Sequence, residues 1–240
     1  GARGVWGYVQ GGIGGLADAL EAAGRELRVD LRRETEVTRI FTSDGRVRGV
    51  GLADGQMIEA PVVASSVDAH WTFERLLDPA SLPEDFRRAV AKIDYASASA
   101  KINLGLSALP NFTAAPARDV APHHHGTIHI SPTLDYLERA YDDAKYGTPS
   151  QEPVLEITLP SSVDRSIVPE GKHLMSIFVQ FAPYTLSDAK RWDDVKDAFA
   201  DRCLQLLARY APNMPQIVEH RQVLSPEDLD ALVAYLAEAT

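Results

Sequence analysis

Gly11-Gly12-Ile13-Gly14-Gly15-Leu16-Ala17 is the stretch on which the fold turns, because from Gly12 onward it fits the G-x-G-x-x-A pattern of a dinucleotide-binding turn. That pattern needs a strand before it and a second crossover unit after it. The residues before it, Trp6-Gly7-Tyr8-Val9-Gln10, make a short run broken by glycine. After it comes a helix with Leu16, Leu20 and Ala23 on one face, which the sequence ends at Gly24. From Leu27 the period changes to two, through Leu27, Val29 and Leu31, then Val37 and Ile40, then Val47, Val50 and Leu52, with turn signals at Asp44-Gly45 and Asp54-Gly55. Asp30 stands near where a ribose-binding acid would fall, yet hairpins replace the second crossover helix. The reading is therefore a meander, and the glycines serve close approach of a ligand to the backbone.

Working outward, Pro61-Val62-Val63-Ala64-Ser65 reads as a buried strand, followed by helices near His70 to Leu77 and Pro83 to Lys92. A second lobe opens after Asp94. Ser97 to Leu109 reads as a long strand, Pro110 to His125 as an irregular connection, Thr127 to Ser131 as a strand and Thr133 to Tyr146 as a helix. Strands follow at Val154 to Leu159 and His173 to Phe181, then helices at Ser187 to Tyr210 and Ser225 to Ala239. Ser225 with Asp228 has capping-box spacing. The expectation is an α+β fold: residues 1–94 carry a Gly-rich loop, a helix and a β-meander, and residues 95–240 carry a mixed, mainly antiparallel sheet with flanking helices.

Lys plus Arg is 24 against 34 Asp plus Glu, a net charge of −10, with the signs interspersed. Nucleic acid is disfavoured as a partner. No apolar run approaches the roughly 20 residues of a membrane-spanning helix. The single cysteine, Cys203, forms neither an internal disulfide nor a cysteine zinc site, and with the absence of an apolar leader the expected location is the cytoplasm. It shares a helical face with Phe199, Leu206 and Leu207, which reads as core.

No G-x-S-x-G, H-E-x-x-H or P-loop pattern occurs. His123, His125 and His129 would share a face in an extended segment, but no acid or cysteine stands at a ligand spacing nearby, so no metal is expected. Lys101 interrupts an alternation of Ala98, Ala100, Ile102, Leu104 and Leu106. It is either a solvated lysine or a cation turned toward a cavity. Met175, Ile177, Val179 and Phe181 fit a cavity lining and a core equally well.

Taken in order, Trp6 to Leu16, Thr35-Glu36-Val37, Ala64-Ser65-Ser66-Val67-Asp68, Lys101-Ile102-Asn103-Leu104, Gly126-Thr127-Ile128 and Leu159-Pro160-Ser161-Ser162 resemble the phytoene desaturase-like FAD-dependent oxidoreductases. The resemblance is closest to their branch of pyridine nucleotide-disulphide oxidoreductase domain-containing proteins. Members of that family are longer, with a phosphate-binding G-x-G-x-x-G unit ahead of these segments and a Gly-rich flavin approach behind them. The chain resembles their middle, and Ala231 to Thr240 reads as plain helix where that second approach would come.

The resemblance implies that Gly11, Gly12 and Gly14 run beside flavin or substrate, and that the backbone of Val37 meets the adenine. It places Ser65 and Ser66 at the end of a strand returning under the cofactor, and makes Lys101 the lysine that reaches the flavin N5 through a water. It further implies a substrate lobe after residue 94, FAD in the intact enzyme, and hydrogen removed from or added to an apolar small molecule, with peripheral contact to a membrane left open. The isolated chain, without the phosphate-binding unit, is expected to hold no FAD tightly and to be inactive. The alternative is a binding or interaction module that lacks FAD.

Overall fold

The structure, a computed structural model, describes residues 7–96 and 98–238. Trp6, Ser97 and Ala239, which bound three of the sequence-read elements, lie outside the described residues. The chain divides into two compact units, one of residues 29–95 and one that joins the residues up to 28 to those from 96 onward.

In the first unit β1 (Val37–Ser43), β2 (Arg46–Leu52) and β3 (Met57–Glu59) form an antiparallel meander in that order. Asp44 and Gly45 turn the first hairpin with φ of 53° and 70°, the left-handed pair that matches strand twist. Ile40 and Leu52 are buried, as are Thr72 and Leu76 of a π-helical turn, Trp71–Leu76; α2 (Glu84–Val90) follows. Two sequence expectations fail here. Leu27, Val29 and Leu31 form no strand and are 79%, 51% and 46% exposed, because Arg28 and Glu34 take left-handed φ of 61° and 50° that break an extended run. Pro61 to Ser65 is irregular and largely exposed: Pro61 has no N–H to give a ladder, and no described strand pairs with the segment.

The second unit begins with α1 (Gly14–Glu26), preceded at residues 7–10 by irregular chain rather than a strand. Among the described residues no strand precedes α1 to make a first-strand crossover. Its sheet contains β4 (Ser99–Leu106), β5 (Ile128–Ile130), β6 (Val154–Thr158), β7 (His173–Gln180) and β8 (Val218–Leu224) in the order β5-β6-β7-β4-β8. Every neighbouring pair is antiparallel, so the fold is α+β and not doubly wound. Helices α3 (Leu134–Lys145), α4 (Trp192–Ala208), the one-turn α5 (Met214–Ile217) and α6 (Pro226–Glu238) complete it. At α6 the Asp228 amide donates to Ser225 Oγ at 3.1 Å and the Ser225 amide to Asp228 Oδ2 at 3.0 Å, the reciprocal cap that the spacing announces.

One face of this sheet is the core. Ala100, Ile102, Leu104 and Leu106 of β4 join Leu155 and Ile157, Met175, Ile177 and Val179, and Phe199, Cys203, Leu206 and Leu207 of α4. Met175, Ile177 and Val179 are therefore packing residues. Phe181 leaves their row through a φ of 65°. Strand β8 escaped the sequence reading because Glu219, His220, Arg221 and Gln222 are all exposed at the sheet edge, which erases a period-two signal.

Candidate functional site

Side chains alternate along a strand, so packing Ala100, Ile102 and Leu104 into the core turns Ser99, Lys101 and Asn103 to the opposite face. Lys101 stands opposite Phe178 on β7 and Leu224 on β8. One step along the face, Ser176 Oγ donates to Asn103 Oδ1 at 3.0 Å and Asn103 Nδ2 donates to Gln222 Oε1 at 3.0 Å. Gln180 Nε2 donates to Glu156 Oε1 farther across. A half-exposed lysine beside an aromatic ring thus sits next to a row of amides and hydroxyls whose hydrogen bonds fix their orientation.

The glycine loop lies in the same unit. Gly11 and Gly12 have φ of 80° and 106°, a region that side chains avoid, while a Cβ on Gly11, Gly12 or Gly14 would meet no atom within 4 Å. Conformation, not crowding, calls for glycine at the first two. The Gly12 amide donates to Val9 O at 3.0 Å, and the Gly11 amide donates to Asp164 Oδ2 at 2.7 Å. The other oxygen of Asp164 accepts from the Ser166 amide at 2.9 Å and from Ser166 Oγ at 2.6 Å. The Ser166 hydroxyl, and after it the Gly11 amide, hold the Asp164 carboxyl below the usual carboxylate range.

Val37, Ser65 and Ser66 belong to the other unit. The Ala53 amide donates to Glu36 O at 3.0 Å, and Val37 faces Leu52, so the trans peptide between Glu36 and Val37 points the Val37 N–H away from β2. Its backbone donor and acceptor lie on the outer side of an edge strand. Ser65 Oγ shares a 2.7 Å hydrogen bond with Thr72 Oγ1, and Ser66 is exposed. A flat group could reach the open backbone at Gly12 and Gly14, and a planar hydrogen-bonding edge could pair with the outward backbone of Val37.

The histidines separate. His124 is fully buried, accepting from the Ala121 amide at Nδ1 (3.0 Å) and donating from Nε2 to Pro110 O (3.4 Å), whereas His129 is exposed on β5 opposite Glu156. Both nitrogens of His124 are used structurally. Among the described residues no group of three histidines, cysteines or acids could hold a metal ion. Asp164 was missed by the sequence reading; the signal was the Asp164-Arg165-Ser166 spacing, in which an aspartate accepts from the amide two residues on.

The model of the family described as flavin containing amine oxidoreductase matches residues 1–227. The chain belongs to the flavin-containing amine oxidoreductase family. It is 37% identical over 239 residues to the pyridine nucleotide-disulfide oxidoreductase domain-containing protein 2 of Rattus norvegicus, covering 97% of this chain and 41% of the relative. A zeta-carotene-forming phytoene desaturase of Myxococcus xanthus is 29% identical over 176 residues, 73% of this chain and 31% of that enzyme. Among solved structures, a Pyrococcus furiosus protein superposes with a TM-score of 0.59 at 18% identity, over 89% of this chain and 43% of its own. An oxidoreductase from Methanosarcina mazei gives 0.54 at 20% identity, over 90% and 43%. At these identities the likeness is one of fold. The chain spans about two fifths of the length of the rat relative.

Proposed function

We propose that this chain is part of an FAD-dependent oxidoreductase that oxidises or desaturates an apolar small molecule in the cytoplasm. FAD, when bound, would take up the hydride. The observation that carries the reading is the alternation in β4, which keeps Lys101 on the face opposite the core, beside Phe178, while its neighbours Ala100 and Ile102 are buried. There the Lys101 ammonium would hold a water and stabilise negative charge that develops next to it, and Phe178 would offer apolar surface to the substrate. Gly12 and Gly14 would let the cofactor approach the backbone, and the outward N–H of Val37 would meet the adenine. Ser65 and Ser66 are proposed as cofactor-binding residues of their own unit. The phytoene desaturase among the relatives supports the choice of an apolar substrate.

Lys101→Met in the full-length protein tests this, with flavin reduction and reoxidation followed separately in stopped flow. One half-reaction is expected to slow by roughly 10² to 10³. Unchanged rates in both would remove Lys101 from the mechanism. For the 240-residue chain alone, flavin fluorescence titration is expected to show only weak uptake of FAD, and stoichiometric micromolar binding would contradict that.

A further inference from the structure

We infer that Asp164 is a positioning residue for the flavin, fixing the path of the Gly11–Gly15 loop by holding the Gly11 amide; this rests on the FAD-binding reading above. Four of the five residues from Gly11 to Gly15 are glycine, and a chain of that composition loses more freedom on ordering than any other. Something must hold it. The helix behind it does not, since α1 buries none of its residues and its N-cap, Ile13, makes no side-chain cap. Asp164 does, across 153 residues of sequence, with a charged acceptor at 2.7 Å.

The post itself is rigid. Asp164 is only 8% exposed, its second oxygen is taken by the amide and hydroxyl of Ser166, and its own amide donates to Pro160 O at 2.9 Å. The carboxylate therefore cannot turn away from Gly11 without breaking the Ser166 turn. A ligand lying along the glycine backbone meets a path already set.

The test uses the full-length protein and three variants, Asp164→Ala, Asp164→Asn and Ser166→Ala, with amide hydrogen exchange across residues 11–15, the FAD dissociation constant and the visible flavin spectrum as readouts. Asp164→Ala is expected to speed exchange at the Gly11 amide and weaken FAD binding, each by about tenfold or more. Asp164→Asn, which keeps the shape but has one acceptor oxygen for two sets of donors, should change both in the same direction by less, and it serves if the alanine variant fails to fold. Ser166→Ala removes one of the two bonds that hold the carboxylate toward Gly11, so both readouts should shift in the same direction by less than in Asp164→Ala. Faster exchange with unchanged FAD affinity and spectrum in the Asp164 variants overturns the positioning role alone. A wild-type protein that takes up no FAD overturns the cofactor reading, and the role of Asp164 with it.

Discussion

Lys101 stands directly opposite Phe178 in the antiparallel register of β4 and β7, while Ile102, one residue on, faces Ile177 and is fully buried. Adjacent residues of one strand therefore do unrelated work. Ile102→Ala is expected to lower the unfolding free energy by about 3 kcal/mol, the usual cost of a cavity among packed aliphatic side chains. Lys101→Met should change it by no more than about 0.5 kcal/mol. Urea denaturation of the full-length variants checks both. Similar losses at the two positions would mean that the two faces of β4 are assigned wrongly.

Strand β4 was legible because the core that includes α4 packs on one of its faces only, which leaves Ala100, Ile102, Leu104 and Leu106 as a clean alternation. Its edge partner β8 was not, since four exposed polar residues in a row carry no period. Pro61 to Ser65 misled for the opposite reason. Its apolar run has the composition of a two-sided strand, but composition cannot supply the neighbours that such a strand needs. The face on which Lys101 lies and the glycine loop could be read locally, whereas the Gly11–Asp164 hydrogen bond joins residues 153 apart that no window of sequence contains.

Gly49 of β2 pairs with Glu59 of β3. Its φ is 150°, and a Cβ there would lie 2.1 Å from Ile58 O, a backbone atom that cannot swing aside. Gly49→Ala must separate the strands or twist β2, and a loss of about 3 kcal/mol from the unit of residues 29–95 is expected from combined strain and overlap. Proteolysis mapped to residues 37–59 should rise in parallel. An alanine variant with wild-type resistance would show that the hairpin closes differently.

His124 gives the protein a pH dependence near neutrality. Burial, and after it the neighbouring His123, holds its pKa below 6.5, while the hydrogen bond to Pro110 opposes them. His173 is lowered in the same direction by burial, then by Arg165 and His124. In the unfolded chain both rings protonate near 6.5, so at lower pH the unfolded state binds more protons and stability falls as pH drops below that value, levelling off once the folded pKa values are passed. Asp164, whose carboxyl is lowered by the Ser166 hydroxyl and the Gly11 amide, contributes in the same sense only below about pH 4. Urea midpoints should therefore fall between about pH 7 and pH 5.5. In His124→Gln the slope over that range should flatten while stability at pH 7 drops. A slope equal to wild type would assign the pH dependence to other groups.

Cys203 bears on what kind of redox chemistry the chain can support. It is fully buried on α4, in the cluster that holds Phe199 and Leu207, and burial pushes its thiol pKa up to about 12. The thiolate is the reactive form, so at pH 8 Cys203 stays a protonated thiol, and burial keeps it out of reach of a reagent. In the native full-length protein a thiol-alkylating reagent followed by peptide mapping should leave Cys203 unmodified for as long as the fold persists. Labelling should begin at the urea concentration where the unit unfolds, and its rate should follow the population of the opened state. Cys203→Val, an apolar replacement of similar size, is expected to leave flavin reduction and reoxidation unchanged and to alter stability by less than about 1.5 kcal/mol. Rapid native-state alkylation, or a loss of either half-reaction in the valine variant, would give the thiol a part in the chemistry that its surroundings deny it.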